Sequence, residues 1–186
     1  MELFALSDRE PGRLLAVTDA DEHLSCGDLS AASEALARAI GGHVLVFLLC
    51  ENTPGTLLGY LGCLRCGAVP LLLDAHIAPG LLKGLAETYR PAFYYAPCDL
   101  PKETRAVLPQ VAPVLELHGS LLLSGSVEGP AIHPDLALLL TTSGSTGSPK
   151  LVRLSEKNLD ANARSIAEYL NLGEDERPIT TLPMSY

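Results

Sequence analysis

A short segment rich in glycine and hydroxyl side chains carries the residues best suited to chemistry in this sequence. Residues 141–150 read Thr-Thr-Ser-Gly-Ser-Thr-Gly-Ser-Pro-Lys. Glycines such as Gly144 and Gly147 can take positive φ angles without steric cost, which would let backbone N–H groups converge on an anion. The hydroxyl groups are further donors, and Lys150 adds a positive charge directly after a proline, which restricts the backbone. The segment therefore predicts a phosphate-binding loop, with these candidate ligand-binding residues: Thr142, Ser143, Gly144, Ser145, Thr146, Gly147, Ser148 and Lys150.

Composition alone leaves another interpretation of this loop open. Segments rich in serine, threonine and glycine are often flexible connections that bind nothing. The loop is also not a Walker phosphate loop, because Ser148 and Pro149 separate Gly147 from Lys150 and a strand rather than a helix is predicted to follow. On composition, ligand binding and flexible linkage are about equally supported.

Two predicted strands flank the loop. The apolar run at residues 136–140 is too short to cross a membrane but has the length of a buried strand, and residues 151–154 alternate as a second strand does. Ser155 is then a predicted N-cap for a helix that extends to about Leu172. The apolar positions of that helix are Leu159, Ala163, Ile166 and Leu170.

The order of residues from Leu139 to Lys150 resembles the phosphate-loop signature of adenylate-forming enzymes, which include acyl-CoA synthetases, non-ribosomal peptide adenylation domains and luciferases. Leu151 stands where glycine is usual in that family, and Glu156 stands where histidine is frequent. These two departures concern the branch of the family and not the loop. The resemblance continues after the loop through Val152, Leu154, Ser155, Asn158 and Leu159.

The resemblance implies an ATP-dependent, AMP-forming acid ligase. In that family a carboxylate attacks the α-phosphorus of ATP, pyrophosphate leaves, and the acyl-adenylate passes to an acceptor, often the thiol of CoA or of carrier-protein phosphopantetheine. The implied cofactors are ATP and Mg²⁺, and Lys150 is the implied catalytic residue, which meets charge on the departing pyrophosphate. The final residues, Thr-Leu-Pro-Met-Ser-Tyr, resemble the next family motif and place Tyr186 in the acyl pocket.

Several motifs that the family carries further along have no counterpart here, namely the Tyr-Gly-x-Thr-Glu motif, the ribose-binding aspartate and the C-terminal lid with its lysine. We therefore expect residues 1–186 to be the N-terminal portion of an AMP-binding domain, which lacks the remainder of that domain and is inactive alone. The alternatives are a non-catalytic nucleotide- or partner-binding module that keeps the loop, and an unrelated phosphotransferase.

Upstream of the loop, apolar strands alternate with helices, which predicts an α/β fold with a mostly parallel sheet flanked by helices. The runs at residues 44–50, 68–73 and 92–96 are uninterrupted apolar stretches, so we expect neighbouring parallel strands covered on both faces. The resemblance identifies this fold as the N-terminal part of the large domain of an adenylate-forming enzyme. Further strands are predicted at residues 14–18, 114–117, 121–124 and 179–182.

Helix boundaries follow from capping residues. Asp28 is a predicted N-cap for a helix that Gly41 ends. Thr53 and Pro54 predict a helix at residues 55–66, in which Gly59 and Gly62 indicate close packing onto the sheet. Helices are also predicted at residues 79–89 and 102–108.

Composition and charge exclude several classes of protein. The chain of 186 residues is 47% hydrophobic with a net charge of −9, which indicates one globular domain and argues against nucleic acid or an anionic membrane as a partner. There is no basic and apolar leader and no apolar run of about 18 residues, which predicts no membrane span and a cytoplasmic location.

No metal site is predicted. The Cys63–Cys66 pair has C-x-x-C spacing, but it lies near the end of a predicted helix rather than at its N-terminus, and no second pair completes a zinc site. The five cysteines, an odd number, predict reduced thiols. Glu51 and Asp74 follow predicted strands, where ligands bind in α/β sheets, although a helix cap or a solvated turn is the commoner role.

Overall fold

The computed structural model describes residues 6–142, 150–173, 176 and 179–185. Its strands are β1 (Leu14–Val17), β2 (His23–Ser25), β3 (Leu45–Cys50), β4 (Val69–Asp74), β5 (Phe93–Pro97), β6 (Leu115–Leu117), β7 (Ser120–Ser124), β8 (Leu136–Thr141) and β9 (Leu151–Ser155). Its helices are α1 (Cys26–Ile40), α2 (Pro54–Arg65), α3 (Pro79–Tyr89), α4 (Lys102–Arg105) and α5 (Glu156–Tyr169), with a short 3-10 helix at Leu6–Asp8.

The main sheet has seven strands in the order β6-β7-β5-β3-β4-β8-β9. Strand β3 lies between β5 and β4 and is parallel to both, and β4 is parallel to β8. The predicted trio of neighbouring parallel strands is therefore confirmed. The outer pairings are antiparallel. Strand β7 is antiparallel to both β5 and β6, and β9 is antiparallel to β8, so only β7 and β9 oppose the direction of the central strands. Strands β1 and β2 form a separate antiparallel pair.

Helices cover both faces of the sheet, as the uninterrupted apolar strands require. On one face, Val46 and Leu48 of β3 pack with residues of α1 and α2. On the other face, Phe47 and Leu49 pack with Leu82 of α3. All of these strand side chains are fully buried, so alternate residues of β3 contribute to two separate hydrophobic clusters.

Two of the three predicted N-caps are correct and one is wrong. Thr53 caps α2 with Pro54 in the first turn, and Ser155 caps α5, both as predicted. The assignment of Asp28 as the N-cap of α1 was wrong. Ser25 is the N-cap, and Asp28 is the third helical residue, whose carboxylate accepts the Ser25 backbone N–H at 3.1 Å. The Ser25 hydroxyl accepts the Asp28 N–H at 3.1 Å, which completes a capping box.

Two helices are shorter than predicted. The helix expected at residues 102–108 ends at Arg105, and residues 106–108 form a turn and a bend before Pro109, which disfavours helical geometry in Leu108. Helix α5 ends at Tyr169 rather than near Leu172, because Asn171 adopts a left-handed conformation with φ 51°.

The predicted strand at residues 179–182 is wrong. No strand is assigned between residue 179 and residue 182, and no described strand pairs with them. Ile179 is 87% exposed and Leu182 is 70% exposed, so their side chains lack the packing that favours a strand. Residues 179–182 have the apolar pattern of a strand, but no strand among the described residues pairs with them.

Glycine at position 59 allows α2 to approach the sheet closely. A Cβ placed there would lie 2.5 Å from Leu48 Cδ1 of β3 and 2.5 Å from Tyr95 Cδ1 of β5. Gly62 has a different neighbour, since its added Cβ would lie 2.7 Å from Leu36 Cδ2 of α1. Close packing onto the sheet is therefore confirmed for Gly59, whereas Gly62 brings the two helices together.

We expect Gly59→Ala to destabilise the fold by about 1–2 kcal/mol, because overpacking outweighs the gain in helix propensity. The matched control is Gly84→Ala in the exposed face of α3, where an added Cβ would have nothing within 4 Å. That variant should stabilise by about 0.5–1 kcal/mol. Urea unfolding of both variants measures the difference, and equal stabilisation would contradict close packing at Gly59.

Candidate functional site

The predicted loop lies at the carboxyl edge of the parallel strands. Strands β3, β4, β5 and β8 run in the same direction, so their carboxyl ends share one edge of the sheet. The connection from β8 to β9 is made at this edge, which is where open α/β sheets bind ligands. The predicted ligand-binding residues Ser143, Gly144, Ser145, Thr146, Gly147 and Ser148 lie outside the described residues, as does Tyr186.

Two predicted site residues, Thr142 and Lys150, are described, and together they form what we term the loop neck. The Thr142 backbone N–H donates to the Lys150 carbonyl oxygen at 3.0 Å. The Thr142 hydroxyl donates to the same oxygen at 3.2 Å. These bonds continue the β8–β9 ladder by one step beyond the Thr141 and Leu151 pair. The neck therefore fixes where the loop begins and ends.

The two residues of the loop neck have different roles. Lys150 is exposed, and its backbone carbonyl is held while its side chain remains available to an anion. The Thr142 hydroxyl has its hydrogen directed at that carbonyl, so this donor supports the backbone of Lys150 in the present geometry. The structure thus pairs a tethered backbone with an exposed lysine at the carboxyl edge of the sheet.

A residue that the sequence analysis did not single out, Asn52, follows β3 at the same edge. Its side-chain Nδ2 donates to the Leu182 carbonyl oxygen at 3.0 Å, and its Oδ1 accepts the Met184 backbone N–H at 2.9 Å. These bonds hold what we term the 182–185 segment against the carboxyl end of β3. Periodicity and motif spacing carry no signal for a contact that joins residues so far apart in the chain.

The acidic residues that follow β3 and β4 have local roles. Asp74 Oδ1 accepts the His76 backbone N–H at 2.7 Å, as in a solvated turn. The Glu51 backbone N–H donates to the Thr56 hydroxyl at 3.0 Å near the start of α2. The turn role is therefore confirmed for the Asp74 side chain, whereas the contact of Glu51 involves only its backbone.

The cysteines lie away from any redox geometry. Cys63 is fully buried and Cys66 is half-buried at the C-terminal end of α2, and both thiols are free. Burial raises the pKa of Cys63 well above its usual value, and burial likewise raises the pKa of Cys50 to about 12. Neutral buried thiols are poor nucleophiles and poor metal ligands. Among the described residues there is also no cluster of three His, Cys, Asp or Glu side chains.

A cavity of about 430 Å³ lies at the opposite, amino edge of the sheet, beside the starts of β3, β4 and β8. Its lining includes His43, Asp135 and Glu156. His43 uses both ring nitrogens, with Nδ1 2.7 Å from the Gly67 carbonyl oxygen and Nε2 3.2 Å from the His133 carbonyl oxygen. The cavity is separated from the loop neck by the length of the strands, so the two regions are distinct.

No helix in the described part of the chain is both long enough and apolar enough to cross a membrane.

A family model described as AMP-binding enzyme matches residues 4–186. Malpinin synthetase of Mortierella alpina is 28% identical over 192 residues, which cover 96% of this chain and 2% of that protein. The 3-hydroxybenzoate–CoA ligase of Aromatoleum sp. (strain CIB) is 26% identical over 165 residues, covering 81% of this chain and 32% of that protein. The chain therefore spans a third or less of these relatives.

Several solved structures have a fold similar to that of this chain. O-succinylbenzoate coenzyme A synthetase of Bacillus subtilis, in complex with AMP, superimposes with a TM-score of 0.75 at 23% identity and covers 99% of this chain. The same enzyme in complex with ATP and magnesium superimposes with a TM-score of 0.74. The chain spans 49% and 51% of these two structures.

Proposed function

This chain belongs to the AMP-binding enzyme family, and from that premise we propose that residues 1–186 form the N-terminal part of the large domain of an ATP-dependent, AMP-forming acid ligase. The full-length protein would join a carboxylic acid to ATP, release pyrophosphate and transfer the acyl group to an acceptor. The proposed domain continues into nucleoside-binding motifs and a C-terminal lid beyond these residues.

The observation that carries the proposal is the loop neck at the carboxyl edge of β8. A glycine- and hydroxyl-rich loop leaves and re-enters the sheet at one point, and its second end carries an exposed lysine. The bonds from Thr142 to the Lys150 carbonyl hold that point fixed. A fixed base for many converging donors is what positioning of a triphosphate requires.

In this proposal the loop residues and Lys150 have different roles toward the triphosphate. The loop residues from Ser143 to Ser148 donate to the β- and γ-phosphates, while Thr142, whose N–H and hydroxyl both donate to the Lys150 carbonyl, anchors the loop. The ammonium group of Lys150 stabilises negative charge on the departing pyrophosphate. Catalysis by Lys150 depends on this charge being larger in the transition state than in bound ATP. Tyr186 is proposed to contribute to the acyl pocket, beside the 182–185 segment.

Magnesium ligands are not assigned to this part of the chain. No cluster of three His, Cys, Asp or Glu side chains occurs among the described residues, and the Asp74 carboxylate accepts the His76 backbone N–H in a local turn. When bound with ATP, the ion would supply further charge neutralisation for the triphosphate. The roles proposed for the loop residues and for Lys150 require only groups that belong to this chain.

The acceptor is proposed to be a thiol. The relatives include a protein named as a CoA ligase and one named as a dimodular nonribosomal peptide synthase. These names support CoA or a carrier-protein phosphopantetheine as the group that receives the acyl chain. The chain's net charge of −9 supports small-molecule substrates over nucleic acid.

The proposal is tested by acid-dependent exchange of labelled pyrophosphate into ATP. The full-length protein is incubated with ATP, Mg²⁺ and a panel of carboxylic acids that covers aromatic acids, short aliphatic acids and amino acids. We expect exchange with at least one class and none without acid. ATP binding without exchange for any acid would favour the non-catalytic nucleotide-binding module instead.

A further inference from the structure

We propose that Asn52 is a positioning residue that holds the 182–185 segment in place as one side of the site for the carboxylic acid. The inference rests on the proposed function for the identity of that reactant. The contact itself is independent of it, because it is given by two hydrogen bonds that join residues 130 and 132 positions apart.

Both polar atoms of the Asn52 side-chain amide form hydrogen bonds. Nδ2 faces the carbonyl oxygen of Leu182 at 3.0 Å, and Oδ1 faces the backbone N–H of Met184 at 2.9 Å. A carbonyl needs a donor and an N–H needs an acceptor, so only one orientation of the amide satisfies both. The side chain therefore binds the 182–185 segment much as an adjacent strand would.

The backbone of Asn52 is rigidly supported. It closely follows β3, which is buried along its whole length, and it directly precedes Thr53, the N-cap of α2. A side chain that leaves the chain between a central strand and a capped helix has little freedom to move. Such placement on rigid elements is what precise positioning requires.

The 182–185 segment has one anchored side and one open side. Ser185 is 6% exposed, and Met184 packs against the hydrophobic cluster that contains Leu48 and Leu72. Leu182 is instead 70% exposed at the carboxyl edge. The segment thus presents an apolar side chain at the edge of the sheet that carries the predicted loop.

The position of this contact separates it from the loop. Only β4 lies between β3 and β8 in the sheet order. Neighbouring strands are about 4.8 Å apart, so Asn52 follows a strand that lies roughly 10 Å from β8. A triphosphate held on the β8–β9 loop leaves the β3 side to the second reactant, and an apolar surface suits an acyl group better than a polyanion.

Removing the contact should raise the KM of the acid more than the KM of ATP. In the full-length protein, we expect Asn52→Ala to raise the KM of the acid by about ten-fold, comparable to the loss of one to two net hydrogen bonds. We expect the KM of ATP to change less than about two-fold. Asn52→Asp should also raise the KM of the acid, because its carboxylate has no donor for the Leu182 carbonyl. Asn162→Ala, an exposed asparagine on α5, is the matched control and should match wild type.

The contact is measured separately by hydrogen exchange at Met184 in the 186-residue chain. We expect the wild-type and Asn162→Ala amides to be protected and the Asn52→Ala amide to exchange about ten-fold faster. An unprotected Met184 in the wild type would overturn the contact. Faster exchange with an unchanged KM for the acid, or with equal rises in both KM values, would overturn the positioning role. Absence of exchange activity in the wild-type full-length protein overturns the proposed function, and the positioning role with it, whatever the amide shows.

Discussion

Purified residues 1–186 alone are expected to catalyse no acid-dependent exchange of labelled pyrophosphate into ATP. Catalysis requires groups placed around the α-phosphate and a carboxylate held within reach of it. The described residues supply the loop neck and the Asn52 contact, whereas the ATP-bound structure that the chain resembles is about twice as long. The net charge of −9 also repels a polyanion rather than steering it in.

The measurement compares residues 1–186 with the same residues carrying Lys150→Ala, under conditions in which the full-length protein exchanges. We expect the two short chains to give the same background. Exchange by the unmutated short chain clearly above that background would show that residues 1–186 are a complete catalyst. The proposal of a larger adenylation domain would then have to be abandoned.

The second large effect is expected for Lys150→Ala in the full-length protein, which should lower the adenylation rate while leaving the fold intact. Lys150 is exposed, so its removal leaves no cavity in the core. A charge-assisted contact is worth about 1.5 to 3 kcal/mol, which corresponds to roughly ten- to a hundred-fold in rate if it is fully expressed in the transition state. Pyrophosphate-exchange kinetics give the rate, and thermal unfolding checks the fold.

Lys157→Ala provides the matched control. Lys157 is also exposed and carries the same charge, but it lines the cavity at the amino edge of the sheet. A general effect of net charge on ATP binding would lower the rate in both variants. We expect only Lys150→Ala to lower it, and unchanged kinetics in that variant would remove Lys150 from the mechanism.

The parts of the fold that could be predicted from sequence are those set by local rules. Thr53 followed by Pro54 determines the start of α2, because a capping hydroxyl and a proline in the first turn act within a few residues. The apolar run that became β3 required cover on both faces, which predicted that it would lie beside other parallel strands under helices on both faces. The two strands around the loop were predicted by the same kind of pattern.

The errors arose where two local signals competed or where a distant partner decided the outcome. Ser25 and Asp28 are both good N-caps, and only the capping box shows that Asp28 belongs inside α1. Residues 179–182 have an apolar strand pattern, yet strand formation depends on a neighbour that the pattern does not specify. The Asn52 contact is the extreme case, since its geometry depends on how the whole sheet brings residues 52 and 184 together.

The distribution of the cysteines allows a fluorescent label to be placed near the carboxyl edge of the sheet. All five lie in the described part of the chain, and only Cys98 among them is exposed. Cys98 directly follows β5, three strand positions from β8, or roughly 15 Å across the sheet. Cys26, Cys50 and Cys63 are buried and Cys66 is half-buried, so a maleimide reaches Cys98 first, although desolvation raises the pKa of the Cys98 thiol as well. A fluorophore on Cys98 would therefore test the proposed nucleotide binding near the loop without a substitution in the loop itself.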